Sequence, residues 1–106
     1  MITIKKQNQK PDNNIIYMEV YGVNRVIYRV TSGNVRRRGK SVLVYGVSAE
    51  DIRTGYCESI ENFSEDIETT LKFANSLVHK RVRPDRLYNE ALRQLRFNTK
   101  GPLPMW

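Results

Sequence analysis

The stretch Gly33-Asn34-Val35-Arg36-Arg37-Arg38-Gly39-Lys40-Ser41 ends in the Gly-Lys-Ser that closes a phosphate-cradling P-loop. A P-loop places four residues between its first glycine and that tripeptide, and it opens a helix whose N-terminus holds the phosphate. Here five residues intervene, and the residues that follow, rich in Val, Leu and Tyr, read as a strand. What remains is a turn with three adjacent arginines. Guanidinium groups grip phosphate oxygens in a two-pronged fork, so Arg36, Arg37 and Arg38, with Arg25 and Arg29 on the preceding strand and Lys40 opening the next, suit contact with a nucleic-acid backbone. Tyr17 and Tyr21, expected on the same outward face as Arg25 and Arg29, would stack on unpaired bases. Without function, the same residues would be a solvated loop and a charged face guarding a sheet edge. Neither an RNP nor a helix-turn-helix signature is present. Lys80, Arg81, Arg83 and Arg86 form a second basic cluster, from which Arg86, Asn89, Arg93 and Arg96 could line one side of a helix.

Other chemistry finds less support. His79 falls at the end of a helical pattern, where a cation complements the helix dipole without any catalytic task. Cys57 has Glu58 and Glu61 for neighbours, which disfavour a thiolate. As the sole cysteine it permits no intrachain disulfide and no cysteine-based zinc site. Glu50, Asp51, Glu58, Glu61, Glu65, Asp66 and Glu68 are dense, yet they lack calcium-loop spacing. Solvation or pairing with arginines is expected of them. No catalytic residue, cofactor or metal is implied, and the expectation is a non-enzymatic binding module.

The chain has 106 residues and a formal charge of +7. That length suits one domain able to bury a core without staples. The charge is blocked: residues 1–49 carry nine Lys/Arg and two Asp/Glu, residues 50–68 one and seven, and residues 69–106 eight and two. Two basic regions therefore flank an acidic one. They either pair internally or leave a basic face for polyanions. With neither a secretory signal nor a membrane-spanning run, the expected setting is cytoplasmic, with no membrane partner.

Alternation predicts strands with Ile16, Met18 and Val20, and then Val26, Tyr28 and Val30, facing inward. Gly22, Val23 and Asn24 supply the turn between them, glycine and asparagine being tolerant of positive φ. A second turn is expected to contain Ser32, Gly33, Asn34 and Arg36–Gly39. Residues 40–47 read as an interior strand because both faces are apolar, and Ser48 to Asp51 as a polar turn. A fourth extended segment would carry Ile52, Tyr56 and Ile60 on one face. Helical spacing then takes over at Ile67, Leu71, Ala74, Leu77 and Val78, with Ser64 as cap, and again at Leu87, Tyr88, Ala91, Leu92 and Leu95 after Pro84. The resulting fold is α+β: a four-stranded antiparallel β-meander followed by two α-helices packed on one face of the sheet. Residues 1–13 are expected to be a flexible arm, 14–98 the domain and 99–106 an extended tail. Leu103, Met105 and Trp106 of that tail would dock in a protein partner or a second copy of the chain, unless they fold back on their own helices. Val-Tyr-Gly-Val occurs at 20–23 and 44–47, which suggests two strand ends with aromatic packing rather than a duplication.

The order of elements resembles a family of small uncharacterised bacterial proteins, a domain of unknown function. The resemblance rests on Tyr45-Gly46-Val47, on Ile60-Glu61-Asn62-Phe63-Ser64 leading into the first helix, and on Val82-Arg83-Pro84-Asp85-Arg86-Leu87-Tyr88 opening the second. It covers the last half of the chain and implies a bacterial intracellular β-then-α domain without a known activity. The arginine turn has no counterpart among those motifs. The protein-interaction alternative would use the sheet edge, the helical pair or the tail.

Overall fold

The computed structural model describes residues 11–99, with side chains through Gln94. The strands are β1 (Asp12–Tyr21), β2 (Val26–Arg37), β3 (Lys40–Asp51) and β4 (Cys57–Ser64), and the helices are α1 (Ile67–Lys80) and α2 (Leu87–Thr99), the latter led in by a 3-10 turn at Pro84–Arg86. All three strand pairings are antiparallel in the order β1-β2-β3-β4. The expected α+β meander with two following helices is the fold. β1 takes in Asp12 and Asn13, the last residues of the expected arm. Leu103, Met105 and Trp106 lie outside the described residues.

The pairing of β2 with β3 is unbroken from Val26↔Asp51 to Arg37↔Lys40, so side chains alternate faces without a slip along this ribbon. Val26, Tyr28 and Val30 share one face with Val47 and Ala49. With Ile60 of β4 they pack against Phe73, Ala74 and Leu77 of α1, Val82 of the linker, and Leu87 and Ala91 of α2. Phe73 also stacks on Phe63, centroids 4.7 Å apart. Full burial of a side chain such as Leu87 contributes about 1.5–3 kcal/mol, so the helices are held by this apolar layer.

Several boundaries differ from the expected ones, each for a local reason. Ser32, Gly33 and Asn34 are strand residues, because the turn at this end needs only Arg38 and Gly39. β3 continues through Asp51, which places the second Val-Tyr-Gly-Val inside a strand rather than at its end. There a Cβ on Gly46 would lie 2.6 Å from the carbonyl oxygens of Ile60 and Glu61, where β4 shifts register between Tyr45 and Val47. Ile52 and Tyr56 are exposed turn residues and only Ile60 of that trio is in β4. Ile16 is 58% exposed, because β1 shifts register between Ile16 and Met18. Asp66, not Ser64, caps α1: its Oδ2 accepts from Thr69 N at 3.1 Å, while Ser64 Oγ accepts from Asp66 N. The cap lowers the Asp66 pKa through bonds from the Thr69 hydroxyl and amide.

Candidate nucleic-acid interface

The β2–β3 hairpin closes on a two-residue loop, Arg38-Gly39, with φ of 54° and 77°. Positive φ at both positions defines a type I′ turn, which matches strand twist and usually takes Asn-Gly or Gly-Gly. Arg36 and Arg37 are the last residues of β2, Lys40 the first of β3, and residues 36–41 are all exposed. Strand alternation puts Arg36 on one face of the ribbon, Arg37 and Lys40 on the other, and Arg38 at its end. β1 pairs no farther along than Asn34, and β4 no farther than Tyr45. Arg37 is ion-paired with Glu65, both partners substantially exposed, and Arg36 Nη2 reaches Gly39 O at 3.4 Å. The tip thus gathers four cations, of which Arg37 is paired with Glu65.

Arg29 does not join that set. Its Nε lies 2.7 Å from Glu19 and its Nη1 2.8 Å from Glu50, and its side chain is 21% exposed. Hydrogen bonds to Glu50 and then Glu19 raise its pKa further. Two carboxylates surround one guanidinium, so this middle stretch of the outer face repels phosphate. The acidic block is in this respect partly an internal counter-charge, with Glu50 on Arg29, Asp51 on Arg83 and Glu65 on Arg37.

The expected tyrosine platform is also divided. Tyr21 pairs with Ile27 on the face that carries Arg29. Tyr17, at the register shift of β1, instead packs edge-on against Tyr45, centroids 6.2 Å apart. Tyr45 shares the face of Val47, so the bulge has turned Tyr17 to the helix side.

Arg25 sits at the far end of β2 from Arg38, in the β1–β2 loop. Twelve strand residues separate the two loops, or roughly 40 Å. Three connections meet at this end. Asn24 Nδ2 donates to Arg81 O at 3.2 Å and to Tyr28 Oη at 3.3 Å, and Tyr28 Oη donates to Val82 O at 2.6 Å. Ile52 N donates to Arg25 O at 3.0 Å. Asp51, 4% exposed, accepts from Arg53 N and Thr54 N at 2.8 and 3.3 Å through Oδ1, while Oδ2 takes Arg83 Nη2 at 3.0 Å. These bonds hold the Asp51 pKa low, the Arg53 amide first, with Arg53 and Arg83 charges adding to it. Desolvation raises the Tyr28 pKa.

Around this knot the side chains of Arg25, Arg53, Arg81 and Arg83 are exposed. Arg53 had not stood out in the sequence. Its signal was its position two residues after an aspartate in a polar turn, where the side chain must point outward. Lys80, also at this end, is drawn to Glu90 at 3.3 Å, and Arg93 of α2 to the same residue at 3.7 Å. Arg86 and Asn89 are exposed.

Among the described residues no group of three or more His, Cys, Asp or Glu could hold a metal ion. His79 is exposed in the last turn of α1. Cys57 is exposed at the start of β4, and its thiol is pushed up first by desolvation and then by Glu50. No described helix is long and apolar enough to cross a membrane. No family model, curated protein or solved structure matches the chain.

Proposed function

We propose that this protein is a nucleic-acid-binding module that contacts the phosphate backbone through the tip of the β2–β3 hairpin. The observation that carries the reading is the tip itself: Arg36, Arg37, Arg38 and Lys40 crowd one exposed two-stranded end, at which Glu65 pairs with Arg37. A two-stranded antiparallel ribbon fits the major groove of duplex DNA, and a basic one also follows a single strand. Contacts of this kind position a backbone and carry no sequence preference of their own.

The test is binding of labelled single-stranded RNA and duplex DNA at two salt concentrations, for wild type and for Arg36→Ala/Arg37→Ala/Arg38→Ala. Wild-type affinity should fall steeply with salt as counterions are released, by about 0.7–0.9 in log–log slope per phosphate contacted. The triple variant should lose most of the binding and about three such contacts from the slope. Wild-type protein that binds neither probe at low salt would end this reading.

A second reading has one observation in its favour. β1 is an edge of the sheet, and Ile15, Ile16 and Tyr17 on it are each more than half exposed. An apolar edge strand of this kind invites pairing with another chain. Its two register shifts work against a long continuous ladder.

A further inference from the structure

Among the described residues, four other than glycine have positive φ: Asn13, Arg25, Arg38 and Arg81. Asparagine visits this region readily, but arginine does not. Each of the three arginines occupies a position that its turn ordinarily gives to glycine or asparagine. Arg25, φ 66°, ends the β1–β2 loop, in which Gly22 N bonds Val26 O at 2.8 Å across residues 23–25 and Arg25 N bonds Gly22 O at 3.2 Å. The left-handed last residue of such loops is usually glycine. Arg38, φ 54°, is in the type I′ turn. Arg81, φ 54°, ends α1 in a Schellman arrangement, with Val82 N on Leu77 O at 3.0 Å and Arg81 N on Val78 O at 3.2 Å, again a glycine position.

The fold therefore carries backbone strain at three places, and each time for the same side chain. Strain retained where a glycine would relieve it marks a side chain kept for something other than stability. Among the described residues no hydrogen bond or ion pair engages the Arg25 or Arg81 side chain. Their backbone carbonyls, by contrast, are both tied into the knot of loops, by Ile52 N and by Asn24 Nδ2. Two exposed guanidiniums are thus fixed at their roots on one end of the sheet, beside Arg53 and Arg83, which buried Asp51 holds. Glu90 is turned to Lys80 and Arg93, while Asp85 also stands at this end, its charge bearing on Tyr56 of the β3–β4 turn.

We infer that this three-loop end, with Arg25 and Arg81 as its principal contacts, is a second phosphate-binding surface that takes the same nucleic-acid strand as the hairpin tip. The inference rests on the reading of the tip as a nucleic-acid contact. The acidic surroundings of Arg29 separate the two surfaces, so a bound strand must bridge roughly 40 Å. An oligomer too short to do so occupies one end only, whereas a longer one gains from holding both.

The experiment compares labelled oligothymidylates of about six and about forty nucleotides at low and high salt, using the full chain. Arg25→Gly/Arg81→Gly relieves the strain while removing the charge, so its thermal midpoint should equal or exceed that of the wild type. It should bind the long oligomer about tenfold more weakly, with a log–log salt slope lower by about 1.4, and the short one within about twofold of wild type. Arg25→Lys/Arg81→Lys keeps the charge on a strained backbone and should keep the slope. Wild-type affinity and slope for the long oligomer in the glycine variant, with binding lost in Arg36→Ala/Arg37→Ala/Arg38→Ala, would overturn this inference and leave the tip as the sole contact. No wild-type binding to either oligomer would remove both. Sedimentation with phosphatidylserine vesicles in place of oligomer binding would overturn it in favour of a membrane surface.

Discussion

The two basic ends of the sheet are built in opposite ways. The hairpin tip is held by strand pairing and a two-residue turn, with the exposed Arg37–Glu65 pair as a tertiary tie. The other end is cross-linked through buried groups: the Tyr28 hydroxyl, the Asn24 amide and the Asp51 carboxylate join three connections that are remote in sequence. At the tip, charge is separable from fold because exposed ion pairs contribute little. At the three-loop end, the arginines radiate from a network that is itself structural. Altering its centre changes stability and surface together.

The sharpest way to break that contrast is Tyr28→Phe. Removing the hydroxyl leaves Val82 O without its buried donor, and the expected loss is about 1–3 kcal/mol in chemical denaturation. A loss no larger than that from substituting an exposed tip arginine would mean that the two ends are not differently built. Asp51→Asn tests the same network by pH. Because the Asp51 pKa is held low in the folded protein, its contribution is complete above the ordinary carboxylate range near pH 4 and disappears as pH falls through the folded value. Wild-type stability should therefore drop in acid more steeply than that of the variant, and the gap between them should narrow. Parallel acid profiles would remove Asp51 from the network. The smallest effect is expected at the tip, where Arg38→Gly should stabilise the protein by about 0.5–1 kcal/mol while weakening nucleic-acid binding. A loss of stability there would show the turn to depend on more than its backbone geometry.

Much of the fold was legible in the chain because it follows from periods that the backbone imposes. Val26, Tyr28 and Val30 alternate, Leu71, Ala74 and Leu77 recur at helical spacing, and Pro84 opens the second helix where a missing N–H costs nothing. The basic residues were legible as residues, but their grouping was not. Arg25 and Arg29 looked like companions of Arg36–Arg38. A strand of twelve residues carries Arg25 to the opposite end, and Glu19 and Glu50 claim Arg29 through a register that sets Glu19 across from it. One extra residue in β1 likewise sent Tyr17 to Tyr45 instead of to the arginines. Turn chemistry was misleading for a related reason. Glycine and asparagine at 22 and 24 suggested where φ would be positive, yet Arg25 takes that conformation, since Asn24 is held by Tyr28 and Arg81 and Gly22 lies against the Tyr28 ring.

By itself, then, the sequence determined the element types, their order, the inward-facing side chains of β2 and α1 and the segregation of charge, all of which are local or periodic properties. Only the tertiary structure decided which cations stand together, which are neutralised and which sit on strained backbone. Those outcomes depend on register, loop closure and contacts between residues such as Asp51 and Arg83, far apart in the chain, and no local pattern encodes them.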